Sequence, residues 1–383
     1  MKFNYKVNKD SYEVVFCSDK EGLSTRNKKK SYMQITKDLL KTKHDGNILL
    51  VIDRNIDNSI IKYIIHDLKI SFKNLKVLYV KGNKKNKNLK TFHKILDQLF
   101  KNKFTKNSVL ISCGGGVIGD VAGLASSLYL RGLLYYHIPS TMTALIDSCI
   151  GGKTGLNFNG LINSLGTYYH PQKVYISKNI ISLLPEREYI AGIPEIIKYG
   201  LINKSNVLNL LNNFEKIKNR DFNFLSKIIK YSLKTKIKFF KNDIREKNKR
   251  LNLNFGHTFA HAIESSYENL SNKHGELIRH GEAVGLGILC EIFYANNNKE
   301  KNFMTVLELL KKYSLPYNLT DKVVNKKVFK KEIYKYVFLD KKKISKYPRY
   351  IKLKKIGNSS VSELNNFSRI KRTISKVLFD EKS

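Results

Sequence analysis

The sequence predicts an α/β domain on a parallel, doubly wound sheet, followed by an all-α domain. Three observations carry that prediction. Up to about Leu183, apolar strand-like runs alternate with stretches of helical spacing, the mark of a parallel sheet with crossover helices. Beyond it, LPEREYIAGIPEIIKYGLI, the run 205–241, LNFGHTFAHAIESSYENL and HGEAVGLGILCEIFYA all read as helices. Between the two patterns, residues 111–163 open as strand, glycine turn and helix. A length of 383 residues suits two domains, placed here at 1–182 and 183–383. No repeat or low-complexity linker separates them, so the active site is expected in a shared cleft.

Taken in order, residues 1–45 read as a strand-rich start with a Lys-rich loop around Arg26–Lys30. GNILLVIDRNI (46–56) is a buried strand ending in Asp53, and NSIIKYIIHDLKI (58–70) is a helix. LKVLYVKG (75–82) is a strand, TFHKILDQLFKNK (91–103) a helix, and SVLISC returns to the sheet. Gly114, Gly115, Gly116, Gly119 and Asp120 then lead into VAGLASSLYLRG. This arrangement lets backbone N–H groups meet a pyrophosphate at a helix N-terminus, with glycine expected for a φ > 0 turn and for close approach. LLYYHIP (133–139) and KVYIS (173–177) extend the sheet.

Composition narrows the function. Lys and Arg number 70 against 32 Asp and Glu, a net charge of +38. A nucleic-acid surface would cluster arginines with aromatics, whereas here Lys dominates and is spread through ordinary helices, so nucleic acid is not expected as a partner. The charge favours a phosphorylated or carboxylated substrate instead. Cys17, Cys113, Cys149 and Cys290 lie far apart without a CxxC pair, which argues against disulfide frameworks and cysteine-only zinc sites. The N-terminus lacks the apolar block of a signal peptide, and no apolar run reaches membrane-spanning length, so a cytoplasmic protein with no membrane contact is expected.

Three places offer metal ligands. Glu195 follows Pro194, a residue suited to opening a helix. His257 and His261 are four apart and share a helix face. His280 heads HGEAVGLG, a small-residue helix suited to close packing. One carboxylate and two histidines with open positions are the ligands of a catalytic zinc-type site. Thr258 stands where an HExxH protease carries Glu, so that class is not supported. The tripeptide HGE occurs twice; the copy at His274 leads into LIRH and reads as an insertion, which leaves His280 as the third ligand. Lys153 (IGGKTG) and Lys198 (EIIKYG) sit in glycine-flanked or apolar settings, where a lysine is costly without an anionic partner.

Together, GGGVIGDVAG (114–123), YLRG (129–132), IPSTMTALIDSCIGGKTGLN (138–157), LPERE (184–188), EIIKYG (195–200), RLNLNFGHTFAHAIE (250–264) and HGEAVGLG (280–287) resemble the 3-dehydroquinate synthases of the sugar phosphate cyclase family. The resemblance implies a Rossmann-like NAD-binding domain, a helical domain, and one Zn2+ or Co2+ held by Glu195, His257 and His280. It places His261 as an acid/base group beside the substrate phosphate. Lys153, Asn163, Lys198, Lys236, Arg250 and Asn254 fall on substrate-handling positions, with Arg131 reaching across a homodimer interface and Lys341 and Lys342 as a further basic pair. Asp53, Gly114, Gly115, Gly116, Asp120, Thr141, Asp147 and Lys153 are assigned to the nucleotide.

The implied activity is that of a phosphate-eliminating carbon–oxygen lyase of the shikimate pathway to aromatic amino acids. It cyclises 3-deoxy-D-arabino-heptulosonate 7-phosphate, a phosphorylated sugar acid, to 3-dehydroquinate. NAD oxidises a hydroxyl, phosphate leaves, the ketone is reduced again, and the opened ring closes by aldol addition, so NAD is regenerated. The chain departs from the family at Ile162, where a substrate-binding lysine is usual, at Asn83 in place of a Glu for the ribose, and at Leu183 in place of Thr. Ile162 keeps a sister cyclase of the 2-deoxy-scyllo-inosose or valiolone type as the alternative. A dehydrogenase of the glycerol dehydrogenase group and a non-catalytic basic binding protein are the more distant readings. His274→Ala is expected to leave bound metal unchanged; loss of metal in that variant would make the first HGE the ligand.

Overall fold

The computed structural model describes residues 1–7, 10–18, 33–159, 161–204, 206–270, 278–296, 301–323, 325–339 and 347–381. The Lys-rich loop around Arg26–Lys30, His274, Lys341 and Lys342 lie outside the described residues. The chain divides into two compact units. One is Met1–Pro185 with Asn219–Ile229, the other Glu186–Lys218 with Lys230–Ser383. The boundary read from sequence at 182/183 lies a few residues before the structural one, and 219–229 belong with the first unit.

The first unit holds β1 (Lys2–Val7), β2 (Asp10–Cys17), β3 (Asn47–Asp53), β4 (Asn74–Val80), β5 (Val109–Gly114), β6 (Leu134–Pro139), β7 (Lys153–Phe158), β8 (Leu161–Tyr168) and β9 (Lys173–Ser177). Seven of them form one sheet in the order β1-β2-β9-β6-β5-β3-β4. Every neighbouring pair is parallel except β1 with β2. Its central strands are apolar on both faces, as a sheet covered on both sides requires. Ile48, Leu50, Ile52 and Ile111 pack into one core, while Leu49, Val51 and Leu110 pack into the other. Helices Asn58–Ser71 and Leu89–Lys101 start at side-chain caps from Asp57 to the N–H of Ser59 and from Asn88 to that of Thr91. The chain leaves β3 for β4 on one side and β5 on the other. Asp53 and the glycine turn therefore flank the point where strand order reverses, at the carboxyl ends where such sheets take ligands.

Two details differ from the sequence reading. None of Gly114, Gly115 and Gly116 has a positive φ. Their lack of a side chain serves close packing: a Cβ on Gly115 would lie 2.9 Å from Thr141 Cγ2, and one on Gly116 would lie 3.2 Å from Ser148 Oγ. IGGKTGLN also runs into an antiparallel hairpin of β7 and β8, separate from the main sheet.

The second unit is helical, with one addition to the all-α expectation. Strands β10 (Arg349–Lys355) and β11 (Asn358–Glu363) form a hairpin, and the N–H of Ile351 donates to the buried Glu291 carboxylate at 3.0 Å. No helix among the described residues is long and apolar enough to cross a membrane.

A buried polar chain crosses β5 and β6, where Ser112 Oγ meets His137 Nδ1 at 2.7 Å and Tyr135 Oη at 2.8 Å. Burial, only partly offset by the bond with Ser112, pushes the His137 pKa down to about 4. An unfolded histidine takes up its proton near pH ~6.5. The unfolded state thus binds a proton that the folded state refuses, and stability falls as pH drops from about 6.5 to about 4, by roughly 3 kcal/mol in full. His137→Phe should flatten the pH dependence of the thermal midpoint across that window. Equal slopes in variant and parent would show that another group sets it.

Candidate metal centre and nucleotide turn

Three helices of the second unit bring Glu195, His257 and His280 to one point. Glu195 lies in the first turn of Ile193–Ile202 and is fully buried. His257 opens Helix His257–Leu270, and His280 opens His280–Asn296. Gly256, at φ 81°, turns the chain into the helix of His257, and a side chain at Gly287 would run into the Gly256 carbonyl. Backbone thus meets backbone, and the imidazole centroids of His257 and His280 stand 5.4 Å apart.

Glu195 Oε1 is 3.7 Å from His257 Nε2 and 3.5 Å from His280 Nε2. One ligand atom from each residue lies within 4.8 Å of the others. The outer nitrogens are engaged: His257 Nδ1 is 3.1 Å from the Phe255 carbonyl, and His280 Nδ1 is 3.3 Å from both oxygens of Glu264. A carbonyl can only accept, so His257 Nδ1 carries the proton and Nε2 offers its lone pair. Burial, reinforced by Lys198, pushes the His257 pKa well below the usual range. Burial also opposes charge on His280, but Glu264 and Glu195 outweigh it and lift that pKa to about 10. A carboxylate and two imidazoles with their far nitrogens tied back fit a divalent ion of the zinc type.

The remaining groups of this unit lie along the same segments. Lys198 is 1% exposed, ion-paired with Glu195, and 4.9 Å from the Tyr199 ring centroid. His261 stands 5.6 Å from His257 and 6.4 Å from His280, centroid to centroid. It lines a small cavity with Asn254, His257, Thr258 and Arg349. Arg250 is buried, donates from Nη1 to the Ile244 carbonyl at 2.7 Å, and stacks its guanidinium 5.3 Å from the Phe240 ring centroid. The Asp243 carboxylate collects the N–H groups of Lys247, Asn248 and Arg250, which shapes the loop before Arg250. Burial tends to raise the Asp243 pKa, but these bonds outweigh it and lower it. Lys236 is buried on helix Phe222–Phe240.

In the first unit, Gly115 caps helix Gly116–Leu128, and Thr141 Oγ1 accepts from the Ala144 N–H at 3.2 Å. Asp147 lies in the short helical turn Ala144–Ser148. Asp53 accepts from the N–H groups of Asn55 (3.0 Å) and Gly82 (2.9 Å), and burial raises its pKa despite those bonds. Asp120 is ion-paired with Lys87, whose Nζ also reaches Asn163 Oδ1 at 2.5 Å. Lys153 is exposed on β7, so the argument from a buried lysine applies to Lys198 and not to Lys153. Arg131 is also exposed, at φ 65°. Ile162 lies on the exposed strand β8.

Sequence reasoning missed three residues here. Lys87 is lost in NKKNKN, and nothing in that run marks it. Glu264 lies seven positions after His257, on the same helix face, so helical spacing could have found it. Glu246 binds Asn254 Nδ2 through Oε1 at 2.5 Å and has a left-handed backbone (φ 56°), which no sequence signal announces.

Fold and site define a class: two-unit proteins that join a parallel α/β sheet with a glycine turn to a helical unit bearing a carboxylate–imidazole centre. The family description "3-dehydroquinate synthase N-terminal" matches residues 77–191, and "3-dehydroquinate synthase C-terminal" matches 192–343. A 3-dehydroquinate synthase of Ruminiclostridium cellulolyticum is 33% identical over 91% of this chain and 94% of its own. One from Acetivibrio thermocellus is 32% identical over 98% and 99%. The chain belongs to the 3-dehydroquinate synthase family. Among solved structures, 2-deoxy-scyllo-inosose synthase in complex with carbaglucose-6-phosphate, NAD+ and Co2+ shares the fold, with a TM-score of 0.81 at 22% identity, covering 99% of this chain and 100% of that one.

Replacing His257 by Ala, or Glu195 by Gln, should cut tightly bound zinc from one equivalent to under about a tenth, read by atomic absorption after dialysis. A full equivalent in either variant would place the metal elsewhere.

Proposed function

We propose that this chain is a 3-dehydroquinate synthase, eliminating phosphate from 3-deoxy-D-arabino-heptulosonate 7-phosphate and closing the carbocycle. The observation that carries the reading is the convergence of Glu195, His257 Nε2 and His280 Nε2, with both outer nitrogens engaged, in a chain of this family. NAD and a divalent ion, when bound, supply respectively a hydride acceptor and a Lewis acid that acidifies a substrate hydroxyl. Gly114, Gly115, Gly116, Asp120, Thr141, Asp147 and Asp53 hold the nucleotide; Glu195, His257 and His280 hold the ion.

The chain's own groups do the rest. Lys198, Lys236 and Arg250 are buried cations that fix the substrate carboxylate and phosphate, so one molecule stays in register through successive steps. His261, beside the ligand histidines, moves a proton through an imidazole nitrogen to the departing phosphate oxygen. Asn254, oriented by Glu246, and Asn163, oriented by Lys87, position substrate hydroxyls. Lys153 and the Lys341–Lys342 pair add positive charge for the substrate's anionic groups. Arg131, exposed on a left-handed turn, contributes to the phosphate site of a second copy in a homodimer. A cytoplasmic location and independence from nucleic acid complete the reading.

Incubation with NAD, zinc and each sugar phosphate in turn tests it. Phosphate should be released from the seven-carbon keto acid phosphate with no net NADH at 340 nm. Release only from a sugar phosphate lacking the carboxylate would make this a sister cyclase, and accumulation of NADH would make it a dehydrogenase.

A further inference from the structure

The arginine of the LPERE motif (184–188) grips the helix that opens with the candidate ligand His280. Glu282, the third residue of helix His280–Asn296, is 4% exposed. Its Oε2 accepts the N–H of Arg279 at 2.9 Å, which closes the first turn around His280. Arg187 holds the same carboxylate with both arms of its guanidinium, Nε to Oε1 and Nη2 to Oε2, each at 2.8 Å. Alongside, Arg279 Nε is 2.6 Å from Glu188 Oε1. Between them, a side chain on Gly281 would run into the Ala191 carbonyl. Residues 279, 281 and 282, on either side of His280, are therefore pinned to residues 188, 191 and 187. That segment runs through Gly192 directly into helix Ile193–Ile202, whose first turn bears Glu195.

We propose that the Arg187–Glu282 fork is a positioning device for His280, setting metal affinity by fixing that helix end against the segment leading to Glu195. The inference rests on the metal-dependent reading above. A ligand carried on a separate helix must be held to fractions of an ångström to bind tightly. The short path from Arg187 to Glu195 supplies that constraint. The fork needs arginine, because two parallel N–H donors fix orientation where a lysine supplies only a point charge. Glu282 is buried, so losing Arg187 costs stability as well, and the thermal midpoint of metal-free protein is what separates that cost from a change in metal affinity.

The test measures zinc dissociation constants by competition with a chromophoric chelator on the full chain, and the thermal midpoint of metal-free protein. The set comprises the parent, Arg187→Ala, Arg187→Lys and Lys330→Ala, the last removing the Lys330–Glu381 ion pair (2.7 Å) from the same unit. Arg187→Ala should weaken zinc about 10- to 100-fold, and Arg187→Lys by about threefold or more, because one donor cannot replace a fork. Lys330→Ala should bind as the parent does. The cobalt form of the Arg187 variants should show altered visible bands. Parental affinity and cobalt spectrum in Arg187→Lys would overturn the proposal, and that variant decides the matter alone if Arg187→Ala does not fold. Failure of the parent itself to bind zinc would defeat the metal-dependent reading instead.

Discussion

A carboxylate taken wholly out of water is the constraint around which the second unit is arranged. Glu195 is 0% exposed, and an ion in that position carries a desolvation penalty of roughly several kcal/mol. Lys198, three residues on and itself buried, offsets part of it. Buried pairs of this kind rarely add net stability over an apolar pair of similar volume. The arrangement makes better sense as a held charge: one face of the carboxylate meets an ammonium, and the other meets two imidazole nitrogens. A divalent ion at that second face would meet the carboxylate and both imidazole Nε2 atoms at once, taking the place of the proton that the carboxylates favour on His280.

The rest of the centre follows from holding three helix starts together. Side chains on the first turns of Ile193–Ile202, His257–Leu270 and His280–Asn296 can meet only where those ends converge. Convergence needs narrow contacts, supplied by Gly256, Gly281 and Gly287, whose missing side chains face backbone carbonyls or amides. Rigidity then comes from polar ties at the same ends: Phe255 carbonyl to His257, Glu264 to His280, and Arg187 to Glu282. One helix face, at positions 257, 261 and 264, supplies a candidate ligand, its neighbour and the tie for His280.

Much of this was legible from residue order. Strands such as NILLVID and VLISC are apolar on both faces, which in a chain of alternating elements means a covered parallel sheet. The meeting of Glu195, His257 and His280 was legible because each opens a predicted helix, two of them being histidines in a chain with only nine. The hairpins were not. Strand β8 is exposed along almost its whole length, so it shows no alternation of buried and exposed residues, while β10 hides in a Lys-rich run and β11 is a short, mostly polar segment. The glycine turn was found for a reason only half right, since its backbone is ordinary and its close packing against Thr141 and Ser148 is what excludes a Cβ. Lys87 could not be singled out from one dimension, because its role lies in a contact between a helix and a hairpin distant in sequence.

Charge is where sequence and structure have to be read together. With 70 basic residues and 32 acidic ones, most cations have no carboxylate to pair with and must remain in water. A lysine or arginine under about 10% exposed is therefore in a different category, since its desolvation has to be offset by something specific at that place. Lys87, Lys198, Lys236 and Arg250 meet that criterion at 9%, 1%, 8% and 1%. Lys198 lies against Glu195, Lys87 against Asp120, and Arg250 against a carbonyl and an aromatic face. A net charge of +38 says only that anions are welcome everywhere; burial picks out the cations whose desolvation a specific neighbour must offset. On that criterion Lys153 belongs with the many solvated cations, and Lys198, Lys236 and Arg250 stand apart from them within the second unit.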